Sequence, residues 1–254
     1  MKLRILGCSG GIGGNARTTS MLLDHDVLID AGTGVGDLSL SEMSLIDHVF
    51  ITHSHLDHIA CIPLLMDSVG FLRDKPLTVH ATEATLEIIS QHVFNWKVWP
   101  DFSQIPDAQQ PFMRYHTLHL GQAVELGGRR ITALPANHVV PAVGFQLDSG
   151  EASLVYSGDT TTNDALWEAV NRIGNLRYLL IETAFSNAEL EVAVRSKHYC
   201  PSMLAEDLLK LRLEPEIYIT HLKPGEVDLI MQEIGACVHG FAPKMLQNGQ
   251  VFEF

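Results

Sequence analysis

One heptapeptide constrains this chain more than any other feature: Thr52-His53-Ser54-His55-Leu56-Asp57-His58, directly behind the apolar run Val49-Phe50-Ile51. Three imidazoles and a carboxylate fall within six residues, at the mouth of what reads as a buried strand. With 13 histidines in 254 residues, and aspartate similarly common, chance gives this pattern at roughly one start in 10⁵. His53 and His55 are two apart, so at a strand end they point the same way and can share one cation. Asp57 and His58 follow once the chain turns and address a point beside the first. That arrangement suits a second cation about 3.5–4 Å from the first, as in two-metal hydrolytic sites. Four groups cannot close two metal sites, so any fold built here must bring more ligands to this segment.

The chain offers them at the ends of other short strand-like runs. His138 follows Arg130-Ile131-Thr132-Ala133-Leu134, Asp159 follows Ala152-Ser153-Leu154-Val155-Tyr156, and His221 follows Glu216-Ile217-Tyr218-Ile219. Each is a histidine or aspartate after a β-branched or aromatic run, the context of His53. Any one alone reads as structural, since an aspartate after a strand is commonly an N-cap. Four together read as one metal centre. All the donors are nitrogen or oxygen, which suits zinc, the default for a histidine-rich hydrolytic site, and is compatible with manganese or iron.

The order His-x-His-x-Asp-His, then His, then Ser157-Gly158-Asp159-Thr160, then Thr220-His221 resembles the metallo-β-lactamase-fold hydrolases, from about Lys2 to the C-terminus. The resemblance implies a four-layer αββα sandwich with two divalent metal ions at one edge between the sheets. It also implies the ligand sets: His53, His55 and His138 for one ion, Asp57, His58 and His221 for the other, and Asp159 bridging. Redox diiron relatives of that fold carry glutamate where this chain has His55, so oxygen chemistry is not expected.

Composition bounds the partners. At 46% apolar content the chain can bury a full core as one domain over residues 1–254. A net charge of −13 repels polyanions and leaves no footprint for a nucleic-acid partner. No apolar run approaches the 18 residues of a membrane span. No basic leader with a long apolar core is read at the N-terminus, and Ile5-Leu6-Gly7-Cys8 is discounted as a lipoprotein site. Cys8, Cys61, Cys200 and Cys237 form no metal or disulfide pattern and read as reduced thiols, hence a cytoplasmic location.

Along the chain, Lys2 to Leu6 reads as a strand entering the glycine-rich Gly7-Cys8-Ser9-Gly10-Gly11-Ile12-Gly13-Gly14. That segment lacks the pattern of a nucleotide loop, so its glycines are expected to let backbone pass close to the metal edge. Thr18–Leu23 and Val27–Ile29 read as a hairpin ending at Asp30, either a turn residue or a carboxylate that steadies a ligand histidine. Helices are expected over 62–72, from a Thr82 cap, over 164–173, over 202–211 and around Val227–Ile234. Asn248-Gly249 reads as a hairpin turn. His80 and His92 lack ligand-type company. The aromatic segment Phe94 to Phe102 suits a packing flap, a dimer contact or a surface that stacks on a base, with Trp96 and Trp99 as the stacking candidates.

Function is read from smaller pieces. Ile181-Glu182-Thr183-Ala184-Phe185, Lys197-His198-Tyr199-Cys200-Pro201 and Thr220-His221-Leu222-Lys223-Pro224 resemble the class II cyclic-nucleotide phosphodiesterases. Pro141-Ala142-Val143-Gly144 and the helix after His58 are closer to the tRNA 3′-processing endonuclease branch. That branch carries a long arm between the residues matching His138 and Asp159, where this chain has only twenty residues. The expected activity is hydrolysis of a 3′,5′-cyclic nucleotide to the 5′-monophosphate by a hydroxide held between the metals. The tRNA endonuclease and a non-catalytic metal protein are the alternatives. The expected catalytic residues are His198, Glu182 and Asp57. His198 donates a proton and contacts substrate, and Glu182 orients it. The partner is a small cyclic nucleotide, and the resembling family suggests a homodimer.

Overall fold

Runs of four to seven residues such as Ser20–Leu23 and Val27–Ala31 are buried on every side chain, and chains of that character pair best inside a covered sheet. In the structure, a computed structural model describing residues 1–254, they form two seven-stranded sheets. The first contains β1 (Lys2–Gly7), β2 (Ser20–Leu23), β3 (Val27–Ala31), β4 (His48–Phe50), β5 (Leu77–Ala81) and β6 (Met113–Thr117). The second contains β7 (Ala123–Leu126), β8 (Arg129–Pro135), β9 (Val143–Asp148), β10 (Ser153–Tyr156), β11 (Leu176–Glu182), β12 (Glu216–Thr220) and β13 (Lys244–Met245). A last strand, β14 (Val251–Glu253), returns to the first sheet and pairs antiparallel with β1. Each sheet runs antiparallel and then parallel: β1 to β3 and β7 to β10 are meanders, whereas β3 to β6 and β10 to β13 are parallel.

Parallel strands need crossovers, and helices supply them. α1 (Leu40–Leu45), α2 (Leu56–Ile59), α3 (Cys61–Val69) and α4 (Glu83–His92) belong to the first half of the chain. α5 (Asp164–Val170), α6 (Leu190–Ser196), α7 (Pro201–Leu208) and α8 (Val227–Cys237) belong to the second. The period-2 alternation of side chains sorts the core into three apolar layers. Val49 and Ile51 face α3 and α4, packing with Ile62, Leu65 and Ile89, while Phe50 between them points to the opposite sheet. Likewise Leu154 and Tyr156 fill the inter-sheet layer, and Val155 faces Trp167, Leu204 and Ile230 under the second helical layer. The result is the αββα sandwich expected.

This topology puts the site where it is. β8, β10, β11 and β12 all run in one direction, so His138, Asp159, Glu182 and His221 emerge at one edge. β4 delivers the His53 segment to that edge from the other sheet. Ligands collect beyond the carboxyl ends of strands in open α/β sheets for the same reason.

Several local expectations are refined. The helix expected over 62–72 ends at Val69 and continues as a 3₁₀ turn, Gly70–Leu72. Thr82 caps α4, its hydroxyl accepting from the Thr85 amide. Asn248-Gly249 makes a turn, with Gly249 at φ +80°, but no hairpin: it carries the chain from β13 in one sheet to β14 in the other. His80 does have company. It pairs in register with His116, its Nε2 lies 3.0 Å from His48 Nδ1, and its ring stacks on Phe50 at 4.2 Å. Burial and these two neighbouring imidazoles push its pKa down to about 3, so it stays neutral in the core.

Candidate metal centre

Asp30, at φ +56° near the end of β3, is the buried post around which the histidine segment is hung. Its carboxylate accepts from the Thr52 amide (2.8 Å), the Thr52 hydroxyl (2.9 Å), the Tyr156 hydroxyl (3.3 Å) and His58 Nδ1 (2.7 Å). The Thr52 hydroxyl, committed as donor to Asp30, can accept from His53 Nδ1 at 3.0 Å. Of the two readings of Asp30 from the sequence, the carboxylate that steadies a ligand histidine is the one built. His138 is fixed differently: its Nδ1 donates to the Lys197 carbonyl at 3.0 Å. Lys197 itself sits at φ +54°, the left-handed end of α6. These bonds occupy the outer ring nitrogens and leave Nε2 of His53, His58 and His138 for the interior.

Two clusters result. The donor atoms of His53, His55, His138 and Asp159 lie within 4.8 Å of one another, as do those of Asp57, His58 and His221. Asp159 faces both. Its Oδ2 is 3.5 Å from His53 Nε2 and 4.0 Å from His138 Nε2, while Oδ1 is 3.4 Å from His58 Nε2 and 3.4 Å from His221 Nδ1. Asp57 Oδ2 stands 3.8 Å from Nε2 of both His58 and His221, partly exposed at the mouth.

These residues fit two divalent cations. His53 Nε2, His58 Nε2, His221 Nδ1 and Asp159 Oδ1 are all buried without a hydrogen-bond partner, and leaving such atoms unpaired is costly unless something coordinates them. Burial, reinforced by neighbouring imidazoles, holds His53 well below the usual histidine range and takes His138 to about 4 and His221 to about 3. Neutral imidazole is the form that ligates. Burial would raise Asp159, but His221, His58 and His53 outweigh it and keep the carboxylate ionised. His58 goes the other way: burial lowers it, and the Asp159 and Asp30 carboxylates more than reverse that. No thiol joins the set, since Cys8 points its Sγ at the Leu246 carbonyl and burial lifts its pKa to about 12.

The glycines serve the cluster at particular points. A Cβ on Gly10 would lie 2.5 Å from the His221 carbonyl oxygen, and one on Gly32 would lie 2.3 Å from the carbonyl of Asp57. Gly13 and Gly14 face open space, so only part of the glycine-rich run is needed for close approach.

Beside the ligands stand Glu182 and His198. Glu182, fully buried at the end of β11, accepts His198 Nδ1 at 2.7 Å and the Thr160 amide at 3.0 Å on the same oxygen. The His198 ring stacks on His221 with centroids 5.2 Å apart, and a ring nitrogen lies within 4.8 Å of donors on Asp159 and His221. With Nδ1 taken by Glu182, Nε2 is the atom free to face that space. Burial depresses His198, yet the charge and hydrogen bond of Glu182 raise it above the ordinary histidine value. Burial in turn raises Glu182 despite the imidazole beside it.

Trp96 and Trp99 lie elsewhere. Trp99 packs against the core layer under α3 and α4 with Phe94 and Phe102, and Trp96 is 63% exposed. No hydrogen bond or ring contact joins either to the histidines. Residues that sequence reading did not single out are Thr52, Tyr156 and Lys197, whose roles depend on neighbours distant in the chain. Lys197 has one local signal, its position next to His198.

Comparison with known proteins agrees with this geometry. The family model described as a beta-lactamase superfamily domain matches residues 25–236. A curated relative from Yersinia pestis, named a probable 3′,5′-cyclic-nucleotide phosphodiesterase, is 26% identical over 205 residues, covering 71% of this chain. The chain spans 58% of that relative's length. The metallo-beta-lactamase fold protein YhfI of Bacillus subtilis superposes with a TM-score of 0.78 at 20% identity, over 99% of each chain. Unliganded yeast PDE1 superposes with a TM-score of 0.83 at 16% identity, over 98% of each chain. At those identities the structural likenesses establish the fold, and the family match accounts for the histidine and aspartate cluster at its edge. The chain belongs to the beta-lactamase superfamily and has the metallo-β-lactamase fold.

Proposed function

We propose that the protein hydrolyses 3′,5′-cyclic nucleotides to nucleoside 5′-monophosphates. The observation that carries this reading is the Glu182–His198 contact at 2.7 Å, with a ring nitrogen of His198 within 4.8 Å of donors on Asp159 and His221. Two divalent cations held by the two sets, zinc in this reading, would supply Lewis acidity and a nucleophilic water at neutral pH. What they do not supply is the proton for the leaving group. Breaking the P–O3′ bond expels a ribose alkoxide, and a proton delivered from His198 Nε2 in the transition state makes it an alcohol. Glu182 holds the imidazole by Nδ1, fixes its tautomer and favours its charged form. Tyr199 and Asp207 secure the segment from below, the phenol donating to the buried Asp207 carboxylate at 2.6 Å. Asp57, partly exposed at the rim, completes the second ligand set.

The likeness to the probable 3′,5′-cyclic-nucleotide phosphodiesterase of Yersinia pestis supports a cyclic-nucleotide substrate. The short path between His138 and Asp159 argues against tRNA, because the hairpin of β9 and β10 occupies the middle of it and leaves no room for an arm. The charge of −13 opposes a polyanion as well. A cytoplasmic location and a homodimer go with the same reading, and no helix is long and apolar enough to cross a membrane.

The test is a phosphodiester panel on metal-loaded protein: cyclic nucleotides with 3′,5′ and 2′,3′ linkage, bis-p-nitrophenyl phosphate and a tRNA precursor. Hydrolysis of the 3′,5′ ring with the tRNA precursor left intact is expected. Efficient trimming of the tRNA 3′ trailer at physiological salt would replace this reading with the tRNA endonuclease.

A further inference from the structure

If His198 Nε2 delivers a proton to O3′, the ribose lies against His198 and the base must extend beyond it. Beside His198 stands Phe185, its ring centroid 5.7 Å away, and over that ring stands Lys223, with Nζ 5.9 Å from the centroid of Phe185. Both are half-buried. Lys223 Nζ is held in place by the Gly10 carbonyl at 2.7 Å. It makes no ion pair, in a chain where 30 acids outnumber 17 bases. Lys210, Lys244 and Lys75 each pair with a carboxylate, whereas Lys223, like Lys2, Lys97 and Lys197, does not. An ammonium carries three donors, and Gly10 takes one. The remaining N–H groups have no acceptor on the protein.

We propose that Phe185 and Lys223 form the base subsite and that Lys223 selects a base whose edge presents acceptors. Guanine offers O6 and N7 to a lysine; adenine offers N7 but sets its N6 amino donor against the ammonium. Lys223 therefore favours the guanine nucleotide. This rests on the cyclic-nucleotide reading and adds to it the base preference and the residues that set it.

The experiment compares kcat and KM for 3′,5′-cyclic GMP and 3′,5′-cyclic AMP, and the Kd of 5′-GMP and 5′-AMP by calorimetry. It uses the metal-loaded wild type, Lys223→Met and Phe185→Leu. Wild type should prefer the guanine compound by about tenfold, chiefly in KM and Kd. Lys223→Met, which keeps the apolar stem, should bring both ratios toward one with metal content unchanged. Equal KM and Kd for the two bases in wild type would overturn the inference while leaving cyclic-nucleotide hydrolysis standing. So would a ratio unaltered in Lys223→Met. If 5′-GDP and 5′-ADP both bound far more tightly than the monophosphates, and lost that gain in Lys223→Met, the ammonium would be a site for a second phosphate and the base assignment would be overturned. Failure to hydrolyse either cyclic nucleotide would instead bring down the parent reading.

Discussion

Glu182→Gln isolates the proton-transfer role from the architecture around it. The amide can still accept from His198 Nδ1 and the Thr160 amide, which share one oxygen of Glu182, and forfeits only the weak 3.4 Å bond from the Tyr199 amide. What disappears is the negative charge 2.7 Å from the imidazole. A close opposite charge moves a pKa by about 1–3 units, so His198 should lose that much of its elevation. A general acid must be protonated, so activity falls as pH rises through the His198 pKa. In Glu182→Gln the fall should begin about 1–3 pH units lower. At pH 8 kcat for the cyclic nucleotide should drop by about 10- to 10³-fold, below the roughly 10⁴-fold upper end of what general acid catalysis contributes. On the acid side the variant should approach wild type. The assay is kcat against pH for the cyclic nucleotide and for bis-p-nitrophenyl phosphate, with metal content measured in parallel. The latter releases p-nitrophenolate, which leaves without a proton, so its loss should be small. An unshifted basic limb, or equal losses on both substrates, would refute the reasoning and make Glu182 and His198 structural or phosphate-binding groups.

Two other perturbations bear on the centre and its support. Asp159→Ala removes the one carboxylate that faces both ligand sets, so elemental analysis should find at most one tightly held ion in a folded, inactive protein; about two ions in an active variant would contradict the bridging role. His80 is held neutral, its pKa lowered to about 3 against an ordinary value near 6.5, so the stability it contributes is present above pH 6.5 and is lost as pH falls toward 3. Urea unfolding should show wild type losing about 1.4 kcal/mol per pH unit in that window beyond the loss in His80→Phe; identical slopes would show that His80 does not couple to folding.

The metal ligands were legible in the sequence because the physics that selects them is local. Strand ends are marked by short β-branched runs, and a histidine or aspartate just past several such runs has few structural explanations. The two-residue spacing of His53 and His55 reads as strand geometry, although β4 ends at Phe50 and the pair lies on the bent segment that follows. Much of the layer order follows from the same alternation, with Val49 and Ile51 on one face and Phe50 on the other. Tertiary structure decided what depends on residues far apart meeting. Asp30 serves Thr52, His58 and Tyr156 because β3 and β4 are parallel neighbours and β10 faces them across the sandwich, which no window of sequence encodes. His80 gains His48 and His116 through strand register alone. Lys197 orients the His138 ring through a backbone carbonyl, an atom every residue has, and reaches the His138 carbonyl with its ammonium only because the fold brings the two segments together. Trp99 was ambiguous for the opposite reason: an aromatic suits a core layer and a base equally, and only the fold put it beneath α3 and α4, away from the histidines. Side-chain chemistry near a strand end can be read from sequence; which carbonyl, carboxylate or ring arrives from elsewhere is set by how the two sheets close on each other.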